Sequence, residues 1–292
     1  MTARTYALIT PARDERANLE RLVGCVMTQT VTPTAWIVVD NGSADGTLEL
    51  ARDLESRHPW FKALTSPPTN RAEPGRPIVR AFRVGLAALE TDVDVVVKLD
   101  ADVSFAPDHF EKLLEAFEAD RRLGIAGGTC FELDGGEWRP THVTGSHVRG
   151  AVRAYRHACL ADILPLEEGL GWDTIDELKA AAEGWNVAVV RDLRFDHHRP
   201  VGGRDGKPWA RAVRQGKAAH YLGYRFWYLA ARAAFRSRKN PAGLAMVWGY
   251  LASAIAREPV FGDPRVRDQL RRQQGLSQLS LRAREALGRR AS

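Results

Sequence analysis

The chain has 292 residues, 45% hydrophobic and 27% charged, the balance of a soluble globular protein with material for one large core or two modest ones. Its three cysteines, Cys25, Cys130 and Cys159, form no C-x-x-C pair, which argues against a zinc ribbon or disulfide framework and for a reducing compartment. The net charge of +6 hides an asymmetry, because residues 201–292 hold 19 Lys/Arg against 5 Asp/Glu.

The N-terminus offers an apolar stretch of only Tyr6 to Ile9, too short for a secretory signal, so a cytoplasmic placement is expected. Strand-like and helix-like patterns then alternate. "YALIT" reads as a strand, and "ERANLERLVGCVMTQ" has Leu19, Leu22, Val23 and Val26 at helical spacing. "AWIVVD" is a second strand stopped by the turn cluster "NGSADGT", and "TLELARDLESR" is a second helix. "FKALT" predicts a short third strand, the Pro-rich loop "SPPTNRAEPGRP" follows, and "IVRAFRVGLAALE" predicts a third helix. The run "VDVVVKL" is a buried strand ended by Asp100 and Asp102; a helix from about Pro107 to Ala119 and a strand "GIAGGTCFE" come next.

Such β-α repetition predicts a mainly parallel sheet with helices on both faces, whose ligands bind beyond the carboxyl ends of strands. Asp40, Asp100 and Asp102 fall at those ends. A second D-x-D, Asp92 and Asp94, falls at the entry of its strand on the opposite edge. Neither G-x-G-x-x-G after the first strand nor G-x-x-x-x-G-K-[ST] occurs, so ordinary dinucleotide and P-loop readings are weak. Two carboxylates facing a cleft suit a hard divalent cation, and a diphosphate would complete its coordination. By spacing alone, a helix cap and a solvated side chain explain the pair equally well.

The segments "TPARDE", "VVDNGSADGT" and "KLDADV", in this order and spacing, resemble the family 2 glycosyltransferases with a GT-A fold, over roughly residues 5 to 200. The resemblance implies an α/β GT-A domain over 1–200, its nucleotide-sugar half about 1–103 and its acceptor and base half about 104–200. It also implies transfer of a sugar from a nucleotide-diphosphate sugar with inversion, assisted by Mn2+ or Mg2+. Pro11, Arg13 and Glu15 would line the nucleotide pocket, Asp40 would accept a hydrogen bond from the base, and Arg71 is a further base contact. Asp100 would lie by ribose and metal, and Asp102 would bind the metal directly. Asp14 stands where the family often has Asn, which keeps an acceptor and removes an amide donor.

"GLGWDTIDELKAAAEGW" is similar to the segment in which that family carries its general base. The resemblance assigns the base to Asp173, with Asp176, three residues on, as second choice; Trp172 stands where an acid usually precedes the base. On the residues alone Asp173 reads sooner as a helix N-cap than as a base. In "FDHHRPVGG" a metal or diphosphate ligand is expected from His197 or His198, which a strand would turn to opposite faces, with His197 preferred. Arg199 could meet donor phosphate as a bidentate partner. The rivals are a sugar nucleotidyltransferase, for which "TPARDERAN" lacks the Gly-rich loop, and a non-catalytic carbohydrate- or nucleotide-binding relative.

Beyond Val201 the pattern changes to Arg-rich helices with aromatic stripes, "HYLGYRFWYLAARAAFRSR" and "GLAMVWGYLASAIAR". This 201–292 extension predicts, through residues 225–292, contact with an anionic membrane surface in a protein acting on a carbohydrate or lipid-linked acceptor; packing on the catalytic domain is the alternative. No groove-reading motif accompanies the charge, so nucleic acid is not expected.

Overall fold

The computed structural model describes residues 5–67, 75–141, 147–169, 171–199, 208–238 and 240–275. The chain divides into two compact units, Met1–Arg199 and Pro200–Ser292.

In the first unit the predicted strands are β1 (Tyr6–Ala12), β2 (Ala35–Asp40), β3 (Phe61–Thr65) and β4 (Val95–Leu99). β1 pairs in parallel with β2 and β4, and β2 in parallel with β3. Both faces of this part are covered, which is why its strands read as unbroken apolar runs. Tyr6, Leu8, Val95, Val97 and Leu99 face one core with α1 (Arg16–Met27), α2 (Thr47–Arg57) and α4 (His109–Ala119). Ala7, Ile9 and Val96 face the other with α3 (Arg76–Ala87) and α5 (His157–Ile163).

The rest of the sheet departs from the mainly parallel expectation. It contains β5 (Val103–Phe105), β6 (Leu123–Asp134), β7 (Glu137–Pro140), β8 (Val152–Arg156) and β9 (Asn186–His197). The order is β3-β2-β1-β4-β8-β6-β9-β5, with β7 on β6. β8 runs antiparallel to both β4 and β6, and β5 antiparallel to β9, so the sheet is mixed. β8 escapes a hydropathy reading because its arginines are inside. Arg153 has no exposure, and Arg156 donates to the carbonyl oxygens of Leu123, Phe117 and Asp120. β5 is too short to register as a strand by pattern. The remaining helix, α6 (Trp172–Ala182), leads into β9.

The second unit is helical: α7 (Pro208–Tyr221), α8 (Phe226–Ser237), a 3-10 turn (Pro241–Leu244), α9 (Ala245–Ile255) and α10 (Pro264–Gln273). The predicted run from His220 to Arg238 is interrupted at Gly223, whose φ of +75° only glycine adopts readily. Ala212, Ala219, Leu229, Ala233, Ala245 and Met246 form a small core. α7 and α9 cross in backbone contact through two glycines. A Cβ on Gly216 would lie 2.0 Å from the Met246 carbonyl oxygen, and one on Gly249 would lie 2.1 Å from that of Val213. Among the described residues no helix is long and apolar enough to cross a membrane.

Candidate active site

Asp40 ends β2, and Asp100 follows directly on Leu99 at the end of β4, two strands away across β1. Neighbouring strands lie about 4.8 Å apart, so the ends of β2 and β4 lie about 10 Å apart on one edge of the sheet. Asp40 Oδ2 accepts from the backbone N–H of Gly42 (3.0 Å) and Ser43 (3.2 Å). Its Oδ1 is buried and has no hydrogen-bond partner among the described residues. A buried acceptor left open is costly unless a ligand donor fills it. Pro11 and Arg13 lie half-buried on the segment that leads to the buried Glu15. Asp14 adopts a φ of +54°, a region Asp tolerates better than most residues, and its Oδ1 accepts from the Ala44 N–H (2.9 Å). The position therefore uses the acceptor it retains. Arg71 lies outside the described residues.

Asp102 and His197 are distant in sequence and meet because β5 pairs with β9, with Val103 opposite His197. His197 Nε2 lies 3.3 Å from Asp102 Oδ1, and its Nδ1 lies 3.5 Å from Glu132 Oε1. Glu132 thus orients the ring from behind, as carboxylates do for metal-binding histidines. His198 points away: its Nε2 lies 2.8 Å from Ser104 Oγ and its ring packs edge-on against Trp138. Alternation along the strand separates the two histidines, and it is His197 that joins the aspartates.

Two cations balance these carboxylates. Lys98, itself 2% exposed, donates to Asp100 and to the Gly150 carbonyl (2.6 Å). Arg199 donates through both Nη atoms to Glu15 (2.7 and 2.6 Å), with Nη1 also 3.6 Å from Asp102 Oδ2. Burial raises the Asp100 carboxyl above its ordinary pKa, and the Asp102 charge adds to this against the opposing pull of Lys98. For Asp102 burial acts the same way but is outweighed by His197 and then Arg199, so its pKa falls below the usual value.

Atoms of Asp100, Asp102 and His197 able to bind a metal all lie within 4.8 Å of one another. Two carboxylates and an imidazole fit a divalent ion; the nitrogen suits Mn2+ better than Mg2+, which prefers an all-oxygen shell. The sequence reading overlooked Lys98 and Glu132. Lys98 had a signal, since residues two apart on a strand share a face and Asp100 follows it at that spacing.

Asp173 sits in the first turn of α6, after Gly171 in the left-handed conformation, with its side chain 28% exposed. Trp172, where the family resemblance expects an acid, lies instead over two buried cations, Lys98 and Arg153, at 5.5 and 5.7 Å from its ring centroid. Asp176 is fully buried and accepts from the Tyr155 hydroxyl (2.8 Å). Without exposure it has no path to an acceptor, so of the two expected bases only Asp173 is open to solvent.

Burial lifts the Asp176 carboxyl to about 7, helped by the Asp173 charge and opposed by Arg153 and Tyr155. A carboxyl raised in the folded state weakens the fold once it must ionise, from the unfolded pKa upward and fully above the folded one. Asp176→Asn, which keeps an acceptor for Tyr155, is expected to raise the thermal midpoint at pH 8 and to leave it nearly unchanged at pH 4. Equal shifts at the two pH values would contradict an ionising Asp176.

The sheet, with its acidic residues gathered at one edge, has the GT-A fold of glycosyltransferases. The chain belongs to glycosyl transferase family 2, whose family model matches residues 7–156. It is 37% identical over 134 residues to the polyprenol monophosphomannose synthase of Mycolicibacterium smegmatis, a match covering 44% of this chain and 48% of that protein. It is 28% identical over 211 residues to the undecaprenyl-phosphate mannosyltransferase of Micrococcus luteus, covering 65% and 85%. It matches only 33% of the length of a third relative, the succinoglycan biosynthesis protein ExoA of Rhizobium meliloti, and about half of the first. In fold it resembles the mannosyltransferase PcManGT of Pyrobaculum calidifontis, solved with GDP-Man and Mn2+. That likeness has a TM-score of 0.52 at 19% identity and covers 97% of this chain and 79% of the other.

Proposed function

We propose that the protein is an inverting, metal-dependent glycosyltransferase that moves mannose from a nucleotide-diphosphate sugar to a lipid-linked acceptor. The observation that carries this reading is the convergence of Asp100, Asp102 and His197 at the carboxyl end of β4. The names of the relatives support mannose and a lipid-linked acceptor: one is a polyprenol monophosphomannose synthase and another an undecaprenyl-phosphate mannosyltransferase, and the Pyrobaculum protein was solved with GDP-Man.

In this scheme Asp40 Oδ1 takes an N–H of the base, and Pro11 and Arg13 border the nucleotide. A divalent ion held by Asp102, Asp100 and His197 would supply positive charge for the departing diphosphate. Arg199 turns from Glu15 to offer its two donors to the same phosphates. Asp173 takes the proton of the acceptor oxygen as that oxygen bonds to the anomeric carbon from the face opposite the leaving diphosphate. The bond from carbon to diphosphate oxygen breaks, and configuration inverts. A radiolabelled transfer assay with GDP-mannose, Mn2+ and undecaprenyl phosphate tests the whole reading; the absence of lipid-linked mannose with this pair would refute it.

The second unit supports a peripheral position at the inner membrane face. Leu244, Trp248, Leu251 and Ile255 project from one side of α9 and its preceding turn, 54%, 64%, 38% and 80% exposed. They stand in a segment, 240–256, without a charged residue, set within the strongly basic region. An apolar helix face within a basic region of the chain suits a layer of anionic headgroups, where each basic residue contributes on the order of 1 kcal/mol and salt screens the attraction. The full-length protein is expected to sediment with anionic but not neutral vesicles, less so at high salt. Trp248→Ser with Ile255→Ser should weaken that binding severalfold. Failure of the parent protein to sediment with anionic vesicles at low salt would remove the membrane from this proposal.

A further inference from the structure

Behind Asp173 lies a charged cluster that the transfer scheme above does not use. His147 stands between two carboxylates of α6: its Nδ1 is 3.1 Å from Glu177 Oε2, and its Nε2 is 3.5 Å from Asp173 Oδ2. Glu177 is fixed in turn. Its Oε1 accepts from the Val148 N–H (2.8 Å) and from Arg153 Nη1 (3.1 Å). Arg153 has no exposed surface and donates further to the carbonyl oxygens of Val148 (2.6 Å) and Asp173 (2.7 Å). One buried guanidinium thus holds the backbone of the candidate base and, through Glu177 and His147, its side chain.

We propose that His147 is a positioning residue for Asp173, carrying a positive charge in a carboxylate–imidazole–carboxylate bridge that aims the base and keeps it ionised. This rests on Asp173 being the base. Charge balance supports it. Asp173 and Glu177 contribute two negative charges against the single positive charge of Arg153, and Asp176, raised to about 7, adds none below that pH, so an imidazolium makes the cluster neutral there. With a neutral ring the half-buried group would keep a net negative charge, and a carboxylate beside uncompensated negative charge takes up a proton more readily. The groups facing His147 are Glu177 and Asp173 on α6 and Arg153 on β8. Burial and Arg153 disfavour its charged form, but the hydrogen bond and charge of Glu177 and the charge of Asp173 outweigh them, so its pKa is raised.

A ring that merely filled space would leave the titration of Asp173 alone, which separates the two roles. The Asp173 side-chain carboxyl is followed by 13C NMR in full-length protein labelled at aspartate, its signal assigned by loss in Asp173→Asn. In His147→Gln, which removes the charge and keeps a donor, the Asp173 midpoint is expected to rise by about one pH unit. The acid limb of the transfer rate should move up with it, with donor KM unchanged. His147→Lys, which restores a cation, should bring the midpoint back toward the parental value. An unmoved Asp173 midpoint in His147→Gln overturns the proposal, whatever happens to the rate. A parental transfer rate in Asp173→Asn at a pH where the acceptor oxygen still carries its proton would instead overturn the assignment of the base, and the NMR result would still report on the bridge.

Discussion

Asp102→Ala is expected to abolish Mn2+-dependent binding of GDP-mannose while the fold persists. Asp102 is 7% exposed and is flanked by His197 at 3.3 Å and Arg199 at 3.6 Å. Neither partner is stranded by its loss, because His197 retains Glu132 and Arg199 retains its two bonds to Glu15. The variant also relieves the repulsion that helps raise Asp100. The structural cost is therefore small, whereas the ion loses a carboxylate from the proposed trio. Replacing even an outer partner of a metal ligand typically costs about 10- to 100-fold in affinity, so a direct ligand should cost at least the upper value. Calorimetry should show this loss with Mn2+ present and no difference between parent and variant in a chelator. Asp92→Ala, at the exposed entry to β4, should match the parent in both. Equal affinity of Asp102→Ala and parent in Mn2+ would end the assignment.

Asp173→Asn is expected to leave donor binding intact and to lower transfer by about 10²- to 10⁴-fold, the range for loss of a general base. Asparagine keeps the size and the side-chain acceptor that faces the Thr174 N–H, now 2.9 Å from Asp173 Oδ1, so the helix start should survive. The size of the loss also reports on the acceptor. A hydroxyl keeps its proton at every working pH and needs the base throughout. A phosphate monoester has a second pKa near ~6 and attacks without a base once ionised. With undecaprenyl phosphate the defect should therefore shrink as pH rises past that value; with a sugar hydroxyl it should persist. Near-parental transfer across the whole range would take the base role away from Asp173.

The parts of this site that can be read from sequence are those held by local pattern. Asp40 is legible because a β-branched run stops at it and the turn formers Asn41, Gly42 and Ser43 follow, and Asp100 because the buried run from Val95 to Leu99 ends at it. Their place at the carboxyl edge follows from β-α alternation. Arg153 is not legible: an arginine inside a strand contradicts hydropathy, and what allows its burial is Glu177 and two carbonyls brought in by the fold. Alternation puts His197 and His198 on opposite faces. Which face meets the aspartates depends on the register of β5 with β9, and a three-residue strand leaves too little pattern to fix it. Asp176 has the spacing of a second base, and only its enclosure beside Tyr155 takes it out of reach.

The strand order also sets a schedule for a chain emerging during synthesis. β1 can pair with β2 and β4, and β2 with β3, as soon as Leu99 is available, because these three pairings lie within that length. β5 must wait for β9, since its sheet partners begin at Phe195 and end at His197. Pairings between such distant segments form slowly, because loop closure precedes any gain from contact. Until then Asp100 and Asp102 stand side by side with Lys98 close in sequence but without His197 or Arg199. The nucleotide-binding strands can thus be in place well before the cation site is, and a nascent chain halted short of residue 197 would carry the first without the second.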